Sequence, residues 1–337
     1  MIQLYKMIFI FILLISTLIS ISSYNWLTAW MGLEINLLSF ITLISNKNNL
    51  YTSESSMKYF LVQSIASSIF LFSILLNMML INSMEMFSMF SLMMNSALML
   101  KMGMAPFHFW FPDIINYMNW INSMLLMTWQ KIAPIMLLSY LMKNSKFIIF
   151  TILMSTFIGS IMGLNQIKLQ KILAYSSINH LGWMISSFLN NNLLWITYFL
   201  VYSIITISIT MLFNYLNIFY IKQMFITMNK LFMIKFIISM NFLSLGGLPP
   251  FLGFFPKWLI IQELSNYNKF IPLILFMILM SLITLFYYLK MIYSNLMIMN
   301  IMINNNFIMN KINIFIISIF SISMNSLFLI LMFMNMF

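Results

Sequence analysis

The sequence predicts an all-α polytopic membrane protein, and three observations lead to that fold class. Of the 337 residues, 63% are hydrophobic and 6% are charged, and the mean hydropathy is +0.99. A water-soluble surface requires far more polar side chains than this. Apolar runs of about 20 residues, the length of a helix that crosses the hydrocarbon core, recur along the chain. Only short polar connections separate these runs, so residues 1–337 are predicted to form a single transmembrane domain.

A window of about 20 residues predicts about eleven transmembrane helices. The predicted spans are Leu4–Ser22, Tyr24–Ile44, Met57–Ile81, Met86–Phe111, Trp120–Met142, Phe147–Leu164, Leu169–Leu189, Leu193–Tyr220, Leu231–Ile261, Phe270–Tyr293 and Ile312–Met334. The first run lacks the small-residue cleavage site of a signal peptide, and the apolar pattern continues after it. It is therefore predicted to be the first span.

The distribution of lysines predicts the orientation of the chain. All sixteen basic residues are lysines. Ten fall on the N-terminal side of the predicted spans, namely Lys6, Lys47, Lys58, Lys168, Lys171, Lys222, Lys230, Lys235, Lys290 and Lys311. The opposite side carries Lys143, Lys146 and Lys269. The positive-inside rule therefore places the N-terminus on the matrix or cytoplasmic face.

Two of the spans are predicted to be broken helices. The fourth contains Gly103 and Pro106, and the ninth contains the glycine- and proline-rich run Gly246–Gly253. Proline removes a backbone donor and crowds the preceding turn, so both helices should break at mid-membrane depth. The breaks are five spans apart, which predicts two inverted five-helix repeats, 23–165 and 166–337, after a first helix at 1–22.

Charged side chains lie inside the apolar runs at Glu34, Lys101, Lys131 and Lys257. Each costs about 2.5–3.5 kcal/mol at the bilayer centre, so a path for protons or ions is the expected reason for them. A purely structural Glu34–Lys101 pair is the alternative. Lys257 could instead extend toward the membrane interface.

The composition excludes several other classes of function. Without arginine, the chain has no bidentate clamp for phosphate, and a nucleic-acid partner is not expected. Without cysteine, it has no thiolate ligands for an iron–sulfur cluster. A glycine-rich dinucleotide fingerprint within a βαβ unit is also missing, so neither NADH nor flavin is predicted to bind here. Of the two histidines, His108 is predicted to pack or hydrogen-bond, and His180 is open to that role or to proton transfer.

Five segments carry a resemblance to a known family. They are Gly32–Asn36 (GLEIN), Leu100–Trp110 (LKMGMAPFHFW), Trp129–Pro134 (WQKIAP), Ala174–Trp183 (AYSSINHLGW) and Leu243–Trp258 (LSLGGLPPFLGFFPKW). In this order and at these positions, they resemble the subunit 2 family of mitochondrial NADH:ubiquinone oxidoreductase (respiratory complex I). The resemblance covers most of the chain but is loose before Trp30. It departs from the family at Gln170, where an arginine is expected before Lys171.

The resemblance implies an antiporter-like, proton-translocating subunit of the membrane arm, in the shortened form with eleven spans. It assigns Glu34 as the buried glutamate, Lys101 and Lys257 as the lysines of the two broken helices, and Lys131 as the central lysine. A buried carboxylate stabilises a protonated lysine, so weakening the Glu34–Lys101 pair would release a proton for transfer. Waters and polar side chains around Tyr175, Ser176 and His180 are expected to bridge the lysines.

The same resemblance implies that this subunit holds no cofactor of its own. NADH, FMN, iron–sulfur clusters and ubiquinone are expected in partner subunits, which supply the redox energy. Expected partners are other membrane-arm subunits, including other antiporter-like ones, and bound phospholipid such as cardiolipin. A codon-driven bias toward Met, Ile, Phe and Asn is typical of a mitochondrial gene, so the mitochondrial inner membrane is the predicted location.

Two other functions fit the same residues. A cation/proton antiporter subunit of the related family would share the buried glutamate and lysines, and sodium-dependent uptake would favour it. A passive scaffold of the membrane arm would tolerate apolar replacements of the buried charges without loss of proton pumping.

Overall fold

A computed structural model describes residues 4–46, 49–79, 84–141, 145–190, 193–228 and 232–297. Throughout these ranges the regular structure is helical, apart from one isolated bridge between Lys168 and Tyr220. The predicted all-α membrane fold is therefore confirmed. The eleventh predicted span, Ile312–Met334, lies outside the described residues, as do Lys47, Lys143, Lys230 and Lys311.

The described helices follow the predicted spans closely, with a few differences. In chain order they are α1 (Leu4–Ile21), α2 (Trp26–Ile44), α3 (Leu50–Met79), α4 (Met84–Met102), α5 (Trp110–Ile115), α6 (Trp120–Met127), α7 (Trp129–Tyr140), α8 (Ser145–Gly163), α9 (Leu169–Ser187), α10 (Leu194–Leu216), α11 (Ile221–Met228), α12 (Phe232–Gly246), α13 (Phe254–Ser265) and α14 (Ile271–Met297). By length and composition alone, five segments among the described residues could cross a membrane, and they include α2, α3 and α10.

The fifth predicted span is divided rather than continuous. Helices α6 and α7 meet at Thr128, whose hydroxyl donates to the Met124 carbonyl at 2.7 Å. Threonine bonds of this kind bend helices. Six residues later, Pro134 lacks the amide hydrogen that the Gln130 carbonyl would accept. Both residues lie in an apolar run, and the hydropathy window cannot detect the bend that they cause.

A short helix, α11, lies where only a connection was predicted. The side-chain oxygen of Gln223 accepts the backbone amides of Phe219 and Tyr220 at 2.9 and 3.1 Å. These two donors precede the first turn of the helix, where backbone amides have no partner within the helix. The glutamine therefore closes the N-terminus of α11.

The chain divides into two compact units, Met1–Ser155 and Thr156–Phe337. In the first unit, α2 packs between α1 and α3, and α4 packs between α3 and α7. Helices α1 and α2 approach each other closely at Gly32, where a Cβ atom would lie 2.8 Å from the Ser20 amide nitrogen. Glycine is needed for this contact, and it lies two residues before Glu34.

Charged side chains on α3 and α5 of the first unit interact. Lys58, near the start of α3, forms an ion pair with Glu54 at 2.7 Å and interacts electrostatically with Asp113 on α5. This interaction connects α5 to the first turns of α3.

In the second unit, α12 packs against α10 and α14, and α13 contacts α9, α10 and α14. The connections before α9 and after α10 lie together, because the Leu169 amide donates to the Phe219 carbonyl at 2.9 Å. The Ile221 amide donates in return to the Ile167 carbonyl at 3.2 Å. The start of α9 and the end of α10 therefore share one face.

Candidate functional site

The first broken helix runs from α4 to α5 through Gly103, whose backbone is left-handed with φ of 72°. A Cβ atom at this position would lie 2.9 Å from the Phe111 side chain. Glycine is therefore required twice, for its backbone conformation and for the close approach of Phe111. The break at 103–109 is where the proline-containing motif predicted it.

Carbonyl groups released by this break find new donors in the same unit. The Leu100 carbonyl accepts from the Gly103 amide and from the Trp110 indole, both at 3.1 Å. The Lys101 carbonyl accepts from the side-chain amide of Gln63 on α3 at 3.2 Å. Non-helical backbone at membrane depth needs such partners, so Gln63 and Trp110 hold the break in place.

Lys101 and Glu34 are close but do not touch. The Lys101 side chain at the end of α4 is 7% exposed, and Glu34 on α2 is half-buried. Glu34 interacts with Lys101 electrostatically. Within the described part of the chain, no hydrogen bond or ion pair joins them, and the Lys101 Nζ atom is buried without a hydrogen-bond partner. The predicted pair is thus an arrangement of neighbouring charges with a gap between them.

A reciprocal pair of amides connects α2 to α7. The Asn36 side chain donates to the Gln130 side-chain oxygen at 2.9 Å, and Gln130 donates back to Asn36 at 3.1 Å. Asn36 lies two residues after Glu34, and Gln130 directly precedes Lys131. The pair therefore fixes the helix of the glutamate against the helix of the central lysine.

Lys131 is more deeply buried than the other predicted site residues, with 1% of its surface exposed. Its Nζ atom lies 5.2 Å from the centre of the Phe111 ring, within the range of a cation–π interaction. The same ring packs against Gly103. Phe111 therefore lies between the first break and the central lysine.

His108 lies inside the first break and is 2% exposed. Its Nδ1 atom is 3.3 Å from the Pro106 carbonyl oxygen, and its ring packs on Phe109 with 4.3 Å between centres. These contacts are made to the backbone and to a neighbouring ring of the break itself.

The second broken helix runs from α12 to α13 and places Lys257 against the end of α12. The backbone at Gly247 is left-handed with φ of 79°. Lys257 folds back over this glycine, and its Nζ atom donates to the Gly246 carbonyl at 2.9 Å. A cation at the C-terminus of a helix is favoured by the helix dipole.

Lys257 therefore points into the unit rather than toward the membrane interface, which was the alternative expected from its distance to Glu263. It is 6% exposed, and its Nζ atom lies 5.9 Å from the centre of the Trp183 ring on α9. The break itself is tightly closed, because a Cβ atom at Gly253 would overlap the Ser244 carbonyl oxygen.

His180 faces the same break from α9. Its Nδ1 atom is 2.8 Å from the hydroxyl of Tyr198, and its ring centre is 5.1 Å from that of Tyr202. These three residues line a cavity of about 10 Å³ together with Ser244 and Pro256 from the two halves of the broken helix. A space of that size holds about one water molecule.

The two broken helices are built alike. Counting from Gly103 and Gly247, which both have positive φ, each segment follows the pattern Gly-x-x-Pro-Phe-x-x-x-Phe-Pro. The lysines do not share this register. Lys101 precedes the first glycine by two residues, whereas Lys257 follows the second by ten and occupies the position that Asp113 holds in the first segment.

Several contacts of the site were not predicted from the sequence. Gln63, the pairing of Asn36 with Gln130, and the tyrosines beside His180 belong to this group. The sequence does indicate that such contacts exist, because an amide side chain within an apolar span requires a buried hydrogen-bond partner. What the sequence lacked was the identity of that partner, which depends on how the helices pack.

Buried lysines at two broken helices, with a half-buried glutamate near the first, define an antiporter-like membrane subunit. Residues 23–284 match the sequence model of the family described as "NADH:quinone oxidoreductase/Mrp antiporter, TM". The chain belongs to this family.

Relatives from several animals all carry the name NADH-ubiquinone oxidoreductase chain 2. The chain is 52% identical to the NADH-ubiquinone oxidoreductase chain 2 of Anopheles gambiae over 290 residues, which cover 85% of this chain and 84% of the relative. It is 46% identical to that of Locusta migratoria, with coverage of 86% and 84%. It is 42% identical to that of Didelphis virginiana, with coverage of 85% and 84%. The resemblance predicted from the five motifs is confirmed.

Solved structures share the fold at low sequence identity. A chain of respiratory complex I from Thermus thermophilus with bound aureothin matches with a TM-score of 0.86 and 19% identity, covering 96% of this chain and 78% of that one. A chain of the Mrp complex from Dietzia sp. DQ12-45-1b matches with a TM-score of 0.74 and 15% identity, covering 85% and 59%.

Proposed function

We propose that this chain translocates protons as an antiporter-like subunit of the membrane arm of NADH:ubiquinone oxidoreductase in the mitochondrial inner membrane. The observation that carries the proposal is the burial of Lys101, Lys131 and Lys257 at or beside the broken helices. Buried ionisable side chains in a membrane protein are costly and normally serve transport. The animal relatives, all named as chain 2 of this oxidoreductase, support the choice of complex.

In the first unit, proton transfer begins at the gap between Glu34 and Lys101. A movement of α2 toward α4 strengthens the attraction between carboxylate and ammonium, and withdrawal weakens it. Because the Lys101 Nζ atom has no hydrogen-bond partner among the described residues, a water in the gap can take its proton. Lys131 is the next acceptor, and the Phe111 ring beside it stabilises the charge once it arrives.

In the second unit, Lys257 and His180 serve as proton sites beside the broken helix. Protonated Lys257 is held by the Gly246 carbonyl, which has lost its partner within α12. His180 shares its cavity with two tyrosines and with the ends of the broken helix. A single water in that cavity completes a hydrogen-bonded contact between histidine and break.

The chain supplies no redox chemistry under this proposal. NADH, FMN, iron–sulfur clusters and ubiquinone belong to partner subunits, and their reaction changes the Glu34–Lys101 interaction. Other membrane-arm subunits, including further antiporter-like ones, and phospholipid such as cardiolipin cover the apolar surface. The N-terminus faces the matrix.

We also infer eleven spans and two inverted repeats, 23–165 and 166–337, after the first helix at 1–22. The shared pattern at Gly103 and Gly247, each with a positive φ, supports the inference. The two breaks lie five spans apart, and a repeat with an odd number of spans reverses its direction across the membrane.

A cation/proton antiporter is the second candidate, and the similarity in fold to the Mrp complex is the observation that favours it. The two candidates are separated by measuring proton pumping driven by NADH in sodium-free and sodium-containing vesicles. Equal pumping supports the proton route. Pumping that requires sodium supports the antiporter. Pumping that survives both Lys101→Met and Lys131→Met in the assembled complex supports the third candidate, a passive scaffold.

A further inference from the structure

A further buried lysine lies in the second unit, and the proton sites described above do not use it. Lys235 is the single charged residue of α12. It was predicted to lie with nine other lysines on the N-terminal side of the spans, yet it is 5% exposed. The other lysines of that group that the structure describes are all half-buried or exposed. Because a buried lysine is costly in a membrane protein, Lys235 needs an explanation of its own.

Lys235 lies on the face of α12 that packs inside the second unit. Lys235, Phe242 and Gly246 follow the helical spacing i, i+7, i+11, so they share one side of the helix. The Phe242 ring centre is 6.1 Å from that of Phe213 on α10 and 5.7 Å from that of Tyr288 on α14. Helices α10 and α14 therefore cover the side of α12 to which Lys235 belongs.

A different side of α12 is exposed. Phe236, the residue after Lys235, is 41% exposed and lies about 100° further around the helix. A lysine that served only to anchor α12 at the surface would be expected on that exposed side, where its ammonium could remain hydrated. Lys235 is buried instead.

The face that carries Lys235 ends at the second lysine site. Gly246 is the last residue of α12, and its carbonyl accepts from the Lys257 Nζ atom at 2.9 Å. Gly246 lies eleven residues after Lys235, which is about 16 Å along the helix axis at 1.5 Å per residue. One helix thus has a buried lysine of its own and, at its end, a carbonyl that binds a second.

A polar group lies on the same face between the two lysine sites. Ser239, four residues after Lys235, is 4% exposed and donates its hydroxyl proton to the Phe236 carbonyl at 2.7 Å. Since a hydroxyl oxygen also accepts, Ser239 can still receive a hydrogen bond from a water or an ammonium. It therefore offers an intermediate hydrogen-bonding group one turn from Lys235.

The first unit has a comparable arrangement. There, Phe111 lies between the first break and the buried Lys131. In the second unit, Phe242 lies along α12 between the second break and the buried Lys235. Each unit thus has a buried lysine beyond a phenylalanine, in addition to the lysine at its broken helix.

We propose that Lys235 is a proton-binding site of the second unit that acts in series with Lys257. The charged Lys235 breaks one Nζ–H bond as the oxygen of an ordered water takes the proton, which leaves a neutral amine. A proton from another water then forms a new Nζ–H bond and restores the ammonium. Ser239 and ordered water span the distance to the second break. The inference rests on the proton-translocating function proposed above.

A fixed positive charge is the competing explanation for Lys235. A lysine that only attracts neighbouring groups stays protonated, and arginine can supply that charge because its guanidinium does not lose its proton in proteins. A lysine that passes protons on cannot be replaced in this way. Lys235→Met removes the charge, whereas Lys235→Arg keeps the charge and removes the transferable proton. The two variants therefore separate the explanations.

The test measures protons moved per NADH oxidised in vesicles that contain the assembled complex. Five forms are compared: the unchanged protein, Lys235→Met, Lys235→Arg, Lys257→Met and the control Lys222→Met. Lys222 is an exposed lysine on α11. We expect both Lys235 variants to lose as much pumping as Lys257→Met, because sites in series fail together, and Lys222→Met to pump normally.

The outcomes distinguish this inference from the proposed function. Normal pumping in Lys235→Met overturns the site, and so does a loss in Lys235→Met that is absent from Lys235→Arg. If Lys257→Met still loses pumping in either case, the proposed function stands. Normal pumping in Lys257→Met overturns the proposed route through the second unit and the inference with it. Failure of the Lys235 variants to assemble would show a structural lysine and also overturn the proposal.

Discussion

Asn36 and Gln130 bind each other through both of their amide groups, at 2.9 and 3.1 Å, and in doing so join the helix of Glu34 to the helix of Lys131. Two hydrogen bonds between the same pair of side chains fix both the distance and the rotation of the helices. Any proton transfer in the first unit therefore takes place on a scaffold in which the carboxylate and the central lysine have set positions.

Removing one amide of this pair should lower the stability of the complex more than removing both. Gln130→Leu leaves the buried Asn36 amide without its partner, which costs about 1–3 kcal/mol, whereas an apolar pair can be nearly neutral. We expect Asn36→Leu and Gln130→Leu each to lower the thermal unfolding temperature of the complex more than the double variant does. Additive losses in the double variant would mean that the two amides act independently.

Gly103→Ala should disrupt the first break, whereas Gly246→Ala should be tolerated. At Gly103 the new methyl group meets Phe111 at 2.9 Å on a left-handed backbone, which costs about 1–2 kcal/mol for an L-residue before the clash is counted. At Gly246 the nearest side-chain atom is 3.6 Å away, an ordinary contact. Proton pumping and unfolding temperature should both fall in the first variant only. Equal behaviour of the two would show that the geometry of Gly103 is unimportant.

Gln63→Leu should loosen the first break without removing any charge. The Lys101 carbonyl then loses its donor on α3, which costs about 1–3 kcal/mol for an unpaired buried group. We predict reduced pumping per NADH with normal electron transfer. The matched control is Ser64→Ala, a half-buried position on the same helix whose hydroxyl donates to the Leu61 carbonyl within α3. This variant should leave pumping unchanged.

Lys131→Met should reduce pumping to the same extent as Lys101→Met if the two lysines act in series. Both are buried in one unit, and Phe111 separates the first break from Lys131. Lys222→Met, which removes an exposed lysine on α11, serves as the control for loss of a positive charge. Pumping that is lost with Lys101→Met but intact with Lys131→Met would contradict a single relay.

The sequence predicted the helical membrane fold and both breaks because those depend on local properties. A proline two or three residues after a glycine interrupts a helix wherever it occurs, and a run of about 20 apolar residues spans a bilayer. The bend at Thr128 was missed because a threonine hydroxyl that bonds back along its own helix leaves no mark in hydropathy. The partner of Lys257, the Gly246 carbonyl, could not be predicted because the left-handed turn at Gly247 sets the direction of that side chain.

The gap between Glu34 and Lys101 could not be predicted from the sequence either. Two opposite charges in adjacent apolar spans predicted a direct ion pair, yet the two side chains interact only electrostatically. Their separation depends on the rotation of α2, which Gly32 and Asn36 set through contacts with α1 and α7. Neither contact can be read from hydropathy.

Proton pumping by the assembled complex with Lys101→Met shows whether the buried charges form a proton route. Vesicles that carry this variant, the unchanged protein and the Lys222→Met control are supplied with NADH, and protons moved are measured against NADH oxidised. We predict that the variant assembles and oxidises NADH but moves fewer protons per NADH than either comparison. Unchanged assembly and unchanged pumping would show that the buried charges are structural and that this subunit is a scaffold.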